Sequence, residues 1–251
     1  MRNSIILIVL LITIFSCKKS SNTTSGGSGS GGNTSSNLPY GYLNIKKIYE
    51  IFSSSTPPTF LWNTGNAVFL SNPSQITNYC MIGSVSVGSI KFQRETTINN
   101  YYLDTTNMLS VSPTAWQVVG AGVIPSFTYT YTDSVPSYTG YALLPDTIYR
   151  SQNLNLQING VSHGGVISVL IMDGAGFATS DQTFQQINST SANNTIVIPS
   201  SSLAGFIPLS TSHAAGSLQL TIGNNITQQS FSGKSFVFGG AYQLTKNVYI
   251  K

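Results

Sequence analysis

From Leu38 to the C-terminus, apolar residues recur at alternate positions, and no stretch holds the 3.6-residue period of a helix. "FTYTYT" (Phe127 to Thr132) sets Phe127, Tyr129 and Tyr131 against three threonines. "NLNLQIN" (Asn153 to Asn159) and "SLQLTIG" (Ser217 to Gly223) repeat the pattern with Leu and Ile. "VSVGSIKF" (Val85 to Phe92), "NTIVIP" (Asn194 to Pro199) and "NVYIK" (Asn247 to Lys251) read as further strands. Asn159-Gly160, Asp173-Gly174, Gly223-Asn224 and Gly239-Gly240 punctuate them as turn signals. Alternation of this kind belongs to antiparallel sheets with one face on a core. It predicts an all-β chain of antiparallel β-sandwich architecture. "SSSLAGFI" (Ser200 to Ile207) is the one predicted helical turn.

The polar, Pro-containing "TDSVPSYTG" (Thr132 to Gly140) is the best internal break. It divides the body into an N-terminal β domain, 38–135, and a C-terminal domain, 136–251. The strand spacing in the second half suits an immunoglobulin-like sandwich. A single large sandwich is the alternative.

The N-terminus follows different rules. Arg2 precedes an apolar run, Ile5 to Phe15, that ends at Ser16-Cys17. The run is shorter than the roughly twenty residues that cross a bilayer as a helix, and it suits a signal peptide. "IFSC" resembles the lipobox of bacterial lipoproteins, which implies that residues 1–17 are a lipoprotein signal and that Cys17 is the lipid-attachment residue. Acyl chains there would hold the protein on a membrane, each buried methylene contributing about 0.8 kcal/mol. Residues 18–37, "KKSSNTTSGGSGSGGNTSSN", have nothing apolar to bury and read as a Ser/Gly-rich flexible linker with a reach of roughly 25 Å. Their glycines are not a phosphate loop, because no Lys-Ser/Thr follows them.

Charge narrows the function. Only 7% of the residues are charged against 41% hydrophobic, which excludes a coiled coil or a charge-driven disordered chain. The net charge is +4, but the cations are scattered and form no stripe for phosphates, so no nucleic-acid partner is expected. With Cys17 assigned to lipid, Cys80 in "NYCMIG" reads as a small buried hydrophobe. His163 and His213 lie far apart without metal-ligand spacing, and Asp173-Gly174 and Asp181 form no calcium loop. No metal and no cofactor are expected.

Two constellations invite chemistry. "GVSHG" (Gly160 to Gly164) matches the G-x-S-x-G elbow with Ser162 as nucleophile, and Asp173 or Asp181 and then His213 follow in hydrolase order. That chemistry needs a helix after the serine, whereas "GGVISVLIMD" reads as a strand, so the expectation is a hairpin loop and no enzyme. A serine hydrolase remains a remote alternative. The aromatics are the second constellation: Trp62, Trp116, Tyr129 and Tyr131 could stack against sugars, although an aromatic strand face is normally a core face.

Several stretches resemble a group of envelope lipoproteins from the Bacteroidota. They are "GSVSVGSIKF", "TAWQVVGAGVIPSFTYTYTDSVPSYTG" and the ending "NTIVIPSSSLAGFIPL…GSLQLTIGNN…GKSFVFGGAYQLTKNVYIK". The resemblance spans most of residues 65 to 251 and brings no activity with it. It implies an outer-membrane location, and Lys18-Lys19 in place of acidic residues after the cysteine favours the periplasmic face over the cell surface. It also implies O-glycosylation at Asp-Ser/Thr sites, here Thr105, Ser134 and Thr147. Ordinary Asx turns are the equal alternative. The expected function is a lipid-anchored, non-catalytic interaction or structural module with an envelope-protein or glycan partner. Glycan binding is the main alternative.

Overall fold

The chain opens its folded part with two long strands, β1 (Gly41–Ile51) and β2 (Thr59–Phe69). Short strands follow: β3 (Ser84–Val87), β4 (Ile90–Lys91), β5 (Gln93–Glu95) and β6 (Tyr101–Leu103). Next come β7 (Thr114–Val119), β8 (Phe127–Tyr131), β9 (Ser137–Tyr138), a 3₁₀ turn (Gly140–Leu143) and β10 (Thr147–Ile148). The second half holds β11 (Leu154–Ile158), β12 (Val161–Ser162), β13 (Val166–Met172), β14 (Gln185–Gln186) and β15 (Asn194–Ile198). A single helical turn, α1 (Ser200–Leu203), precedes β16 (Gly216–Gly223), β17 (Thr227–Phe231) and β18 (Lys234–Ile250). The described residues are predominantly β, 57% strand and 5% helix, and their sheets do not close into a barrel.

This computed structural model describes residues 38–52, 57–75, 77–96, 101–111, 113–163, 165–174, 185–186, 194–208, 215–224 and 226–251. The proposed signal with Cys17, the linker, Asp181 and His213 lie outside the described residues.

β18 is the spine. Seventeen residues long, it pairs with β1 and β10 in parallel and with β16 and β17 antiparallel. The result is a ten-stranded sheet in the order β14-β13-β16-β18-β1-β2-β6-β5, with β10 and β17 added along β18. Separate from it are a four-stranded sheet, β4-β3-β7-β8, and the pairs β11-β15 and β12-β9.

Two hydrophobic cores form against one face of the large sheet. One packs Leu43, Ile45, Phe69, Phe236 and Phe238 with Trp116, Val118 and Phe127 of the four-stranded sheet. The other packs Ile51, Leu218, Leu220, Ile222, Leu244 and Ile250 with Leu156, Ile158 and Ile196 of β11 and β15. Period-two alternation explains both: the even residues of β18 from Phe236 to Ile250 share the face that carries Leu43 and Ile45 in β1. The cores lie side by side on one continuous sheet, and β1 and β18 contribute to each. All described residues belong to one compact unit, Asn37–Lys251.

Three local expectations are corrected. Val85 to Phe92 is a hairpin and not one strand, because Gly88 takes a left-handed φ of 56° and reverses the chain between Val87 and Ile90. Gly239-Gly240 is no turn: it lies inside β18, where a Cβ on Gly239 would meet Asn44 Oδ1 at 2.8 Å. The segment after "NLNLQIN" is no hairpin loop either. β11 pairs with β15 while β13 pairs with β14 and β16, so the two strands belong to different sheets.

Candidate functional site

Ser162 lies between those two strands in sequence, on β12, which pairs with β9. Its Oγ is 2.6 Å from Ser137 Oγ and 3.3 Å from His163 Nδ1. Asn159-Gly160 forms the turn before it, Gly160 at φ 71°, and His163 itself sits at φ 56°. Asp173 stands at the far end of β13, where its Oδ2 accepts the Ile207 N–H at 2.9 Å. The strand that follows Ser162 supplies no helix N-terminus for an oxyanion. Among the described residues no three His, Cys, Asp or Glu side chains gather as metal ligands.

The Asp-Ser/Thr sites show engaged carboxylates. Asp104 is buried, and its Oδ1 accepts both the N–H and the hydroxyl of Thr106, at 2.8 and 2.7 Å, an Asx-type turn beside an exposed Thr105. Asp133 accepts the Thr227 hydroxyl, and Ser134 is exposed. Asp146 pairs with Lys246 at 2.8 Å, and Thr147 is half-buried in β10 opposite Tyr249.

The four singled-out aromatics part company. Trp116 is 1% exposed and meets Phe92 edge-on with ring centroids 5.5 Å apart, so it offers a ligand no face. Tyr131 is equally buried, and its hydroxyl accepts a hydrogen bond from Asn224. Burial is the main reason its phenol is pushed up to about 12. Tyr129 is half-buried, its ring 4.3 Å from that of Phe238. These three serve the first core because Phe127, Tyr129 and Tyr131 are the inward face of β8. Cys80 packs half-buried against the same core, and desolvation raises its thiol pKa.

Trp62 is different. In β2 it stands opposite Ile48 of β1, on the sheet face away from both cores. Register places Tyr42, Asn44, Lys46, Ile48 and Glu50 of β1 on this face. Val68, Asn66, Thr64 and Trp62 flank them on β2, and Val237, Gly239, Ala241, Gln243 and Thr245 on β18. The β1 residues and Trp62, Thr64, Asn66, Gln243 and Thr245 are all half-buried. The face thus mixes amides, hydroxyls, Lys46 and Glu50 with apolar positions, and Val68, Val237, Gly239 and Ala241 on it are buried.

Lys46 sits near its centre, between Thr64 and Ala241. Desolvation by the surrounding chain lowers its pKa, and desolvation likewise raises that of Glu50. Sequence reading singled out Trp62 here but missed Asn44, Lys46, Asn66 and Gln243. Their signal was present in the polar half of "YLNIKKIYE", whose apolar half enters the cores. What the sequence did not supply was the neighbouring strand.

No protein-family model matches the chain, and no curated protein does.

Proposed function

We propose that the protein is a non-catalytic interaction module of the cell envelope, held at the outer membrane on its periplasmic side by acyl chains on Cys17. The observation that carries this reading is the polar, half-buried sheet face around Lys46 and Trp62, which belongs to neither core. This face gathers amides, hydroxyls, one tryptophan and the half-buried Lys46 and Glu50 on a chain otherwise poor in charge. The leader ending at Cys17 and the Ser/Gly-rich segment after it support the tether. The two cores favour two packing modules on one shared sheet, although they do not part at residue 135, since β18 supplies Phe236 and Phe238 to the first and β1 supplies Ile51 to the second. O-glycosylation at Thr105, Ser134 and Thr147 belongs to the same reading, with Thr105 and Ser134 the more exposed hydroxyls.

The test has two arms. Growth with an alkynyl fatty acid should label the wild type and leave Cys17→Ala unlabelled; equal labelling of both overturns the anchor. A photo-crosslinking residue at Asn66 should capture an envelope component that the same residue at exposed Val197 does not. Identical capture from both positions overturns the face.

Glycan binding is the second reading of the same face. Trp62 favours it, since an indole presented beside amide donors suits the alternating apolar and hydroxyl surfaces of a sugar.

A further inference from the structure

Lys46 is half-buried on this polar sheet face, and a cation so placed is held better beside an opposite charge than alone. The chain has seven carboxylates. Asp146 pairs with Lys246, while Asp104, Asp133 and Asp173 accept hydrogen bonds from neutral donors, and none of the four forms an ion pair with Lys46. Glu95 has an interaction of its own, and Asp181 lies outside the described residues. Glu50 shares the strand face with Lys46, but four residues of extended chain separate their Cα atoms by about 13 Å. The pKa of each is moved by desolvation and not by the other's charge. No hydrogen bond or ion pair links the Lys46 ammonium to any described residue. The 20 residues that follow Cys17 contain no carboxylate either.

An anion from outside the chain fits this setting, and the surroundings restrict its kind. Asn66 and Asn44 offer amide groups and Thr64, whose hydroxyl donates to the Asp104 carbonyl at 3.4 Å, an acceptor oxygen, while Trp62 and Ile48 offer an apolar step one register position away. A bare inorganic anion would leave that step unused, and a basic or neutral ligand would leave the ammonium unpaired.

We propose that this face binds a carboxylated polysaccharide, the Lys46 ammonium pairing with a uronate carboxylate while the sugar ring rests on Trp62. The proposal deepens the glycan reading above and rests on it. No covalent step is involved: the ammonium donates to the carboxylate, and the amides donate to or accept from ring hydroxyls.

Polygalacturonate and its fully methyl-esterified form are the probes, the second keeping the sugar while removing the charge. Binding to the full chain is measured by titration calorimetry at low and high salt. Wild type should prefer polygalacturonate, and high salt should weaken that preference. Lys46→Gln and Lys46→Met should lose roughly 10- to 100-fold for the acidic polymer and little for the ester. Trp62→Ala should weaken both, and Lys234→Gln, a cation elsewhere that sits over the Tyr40 ring, should change neither. Circular dichroism and melting of each variant separate lost binding from lost folding. Equal affinity for the two polymers, or full retention in both Lys46 variants, overturns the proposal. If neither polymer binds while a crosslinker on this face still captures an envelope protein, the proposal falls and the interaction surface stands.

Discussion

The side-chain amide of Asn224 donates to the hydroxyl of Tyr131, 93 positions earlier in the chain. The same amide group also donates to the Ser134 carbonyl at 3.1 Å. Its oxygen accepts the Gly240 N–H at 2.8 Å, and the Asn224 N–H returns to the Gly240 carbonyl at 2.9 Å. One 5%-exposed side chain therefore ties the end of β8 to the middle of β18, where β16 hands over to β17 along the spine. Gly240 permits the approach, for a Cβ there would already meet Val135 at 3.1 Å and the Asn224 amide at 3.3 Å.

Asn224→Ala should accordingly be costly. It leaves buried donors and acceptors on three partners, and the expected loss is about 2–4 kcal/mol, less than the sum of separate bonds because the groups share one site. Tyr131→Phe removes only an acceptor for one N–H and should cost about 1 kcal/mol. Urea unfolding measures both through the midpoint, with the slope unchanged. An Asn224→Ala midpoint equal to wild type would mean that the clasp carries no stability.

Alkaline pH should open the same region. Tyr131 has its phenol pushed up to about 12 from an ordinary 10.0, because burial disfavours the phenolate. The folded pKa is the higher one, so the stability tied to the neutral phenol is fully present below pH 10 and is lost as pH rises through 12. Burial moves Tyr138 and Tyr242 in the same direction. Melting temperature should therefore fall steeply above pH 10, and the phenolate absorbance of Tyr131, Tyr138 and Tyr242 should rise together with unfolding. Tyr131→Phe should make that fall shallower. Smooth ionisation of these three tyrosines near pH 10 in the folded protein would contradict the burial.

How much of this was legible beforehand depends on the range of the forces involved. The alternation in "FTYTYT" announced β8 correctly, since pleat geometry is local: Thr128 and Thr130 are exposed, Phe127 and Tyr131 buried. The helical turn at Ser200–Leu203 was equally readable. Gly88 and Gly239 show the limit. Each glycine sits in an apolar run, yet one makes a hairpin and the other gives Asn44 room inside a strand. Which outcome occurs is set by partners distant in sequence. For the same reason the sheet face was half visible: the polar positions of β1 could be listed, but their alignment with Trp62 and Gln243 needs the β2 and β18 registers.

Lys246 offers a test of how a buried charge is held. It is 4% exposed, and its Nζ donates to the Leu144 carbonyl at 2.6 Å and to Asp146 at 2.8 Å, the latter residue 54% exposed. Removing the carboxylate while keeping the ammonium should be worse than removing the charge with its chain retained. Asp146→Asn is expected to destabilise by roughly 1–3 kcal/mol, moderated because water can reach that side. Lys246→Met should stay within about 1 kcal/mol of wild type, since its unbranched chain has a similar volume and carries no charge to bury. Thermal unfolding of the two variants gives the order directly, and a Lys246→Met variant less stable than Asp146→Asn would refute it.

The serine of "GVSHG" should be chemically silent. A hydrolase elbow works because a strand ends on a strained turn and a helix begins at once, aiming backbone N–H groups at the developing oxyanion. Here β13 follows Ser162, and the hydroxyl lies 2.6 Å from a second hydroxyl, Ser137, with an exposed His163 as its only imidazole neighbour among the described residues. His163 stands within reach of that hydroxyl, its Nδ1 3.3 Å from Ser162 Oγ, but the strand that follows supplies no helix N-terminus for an oxyanion. A fluorophosphonate probe is therefore expected to leave the native protein unlabelled at concentrations that saturate a control hydrolase. Ser162→Ala should give the same blank signal and cost at most about 1 kcal/mol, the worth of one half-exposed hydrogen bond to Ser137. Stoichiometric labelling that disappears in Ser162→Ala would show that an activated nucleophile exists after all.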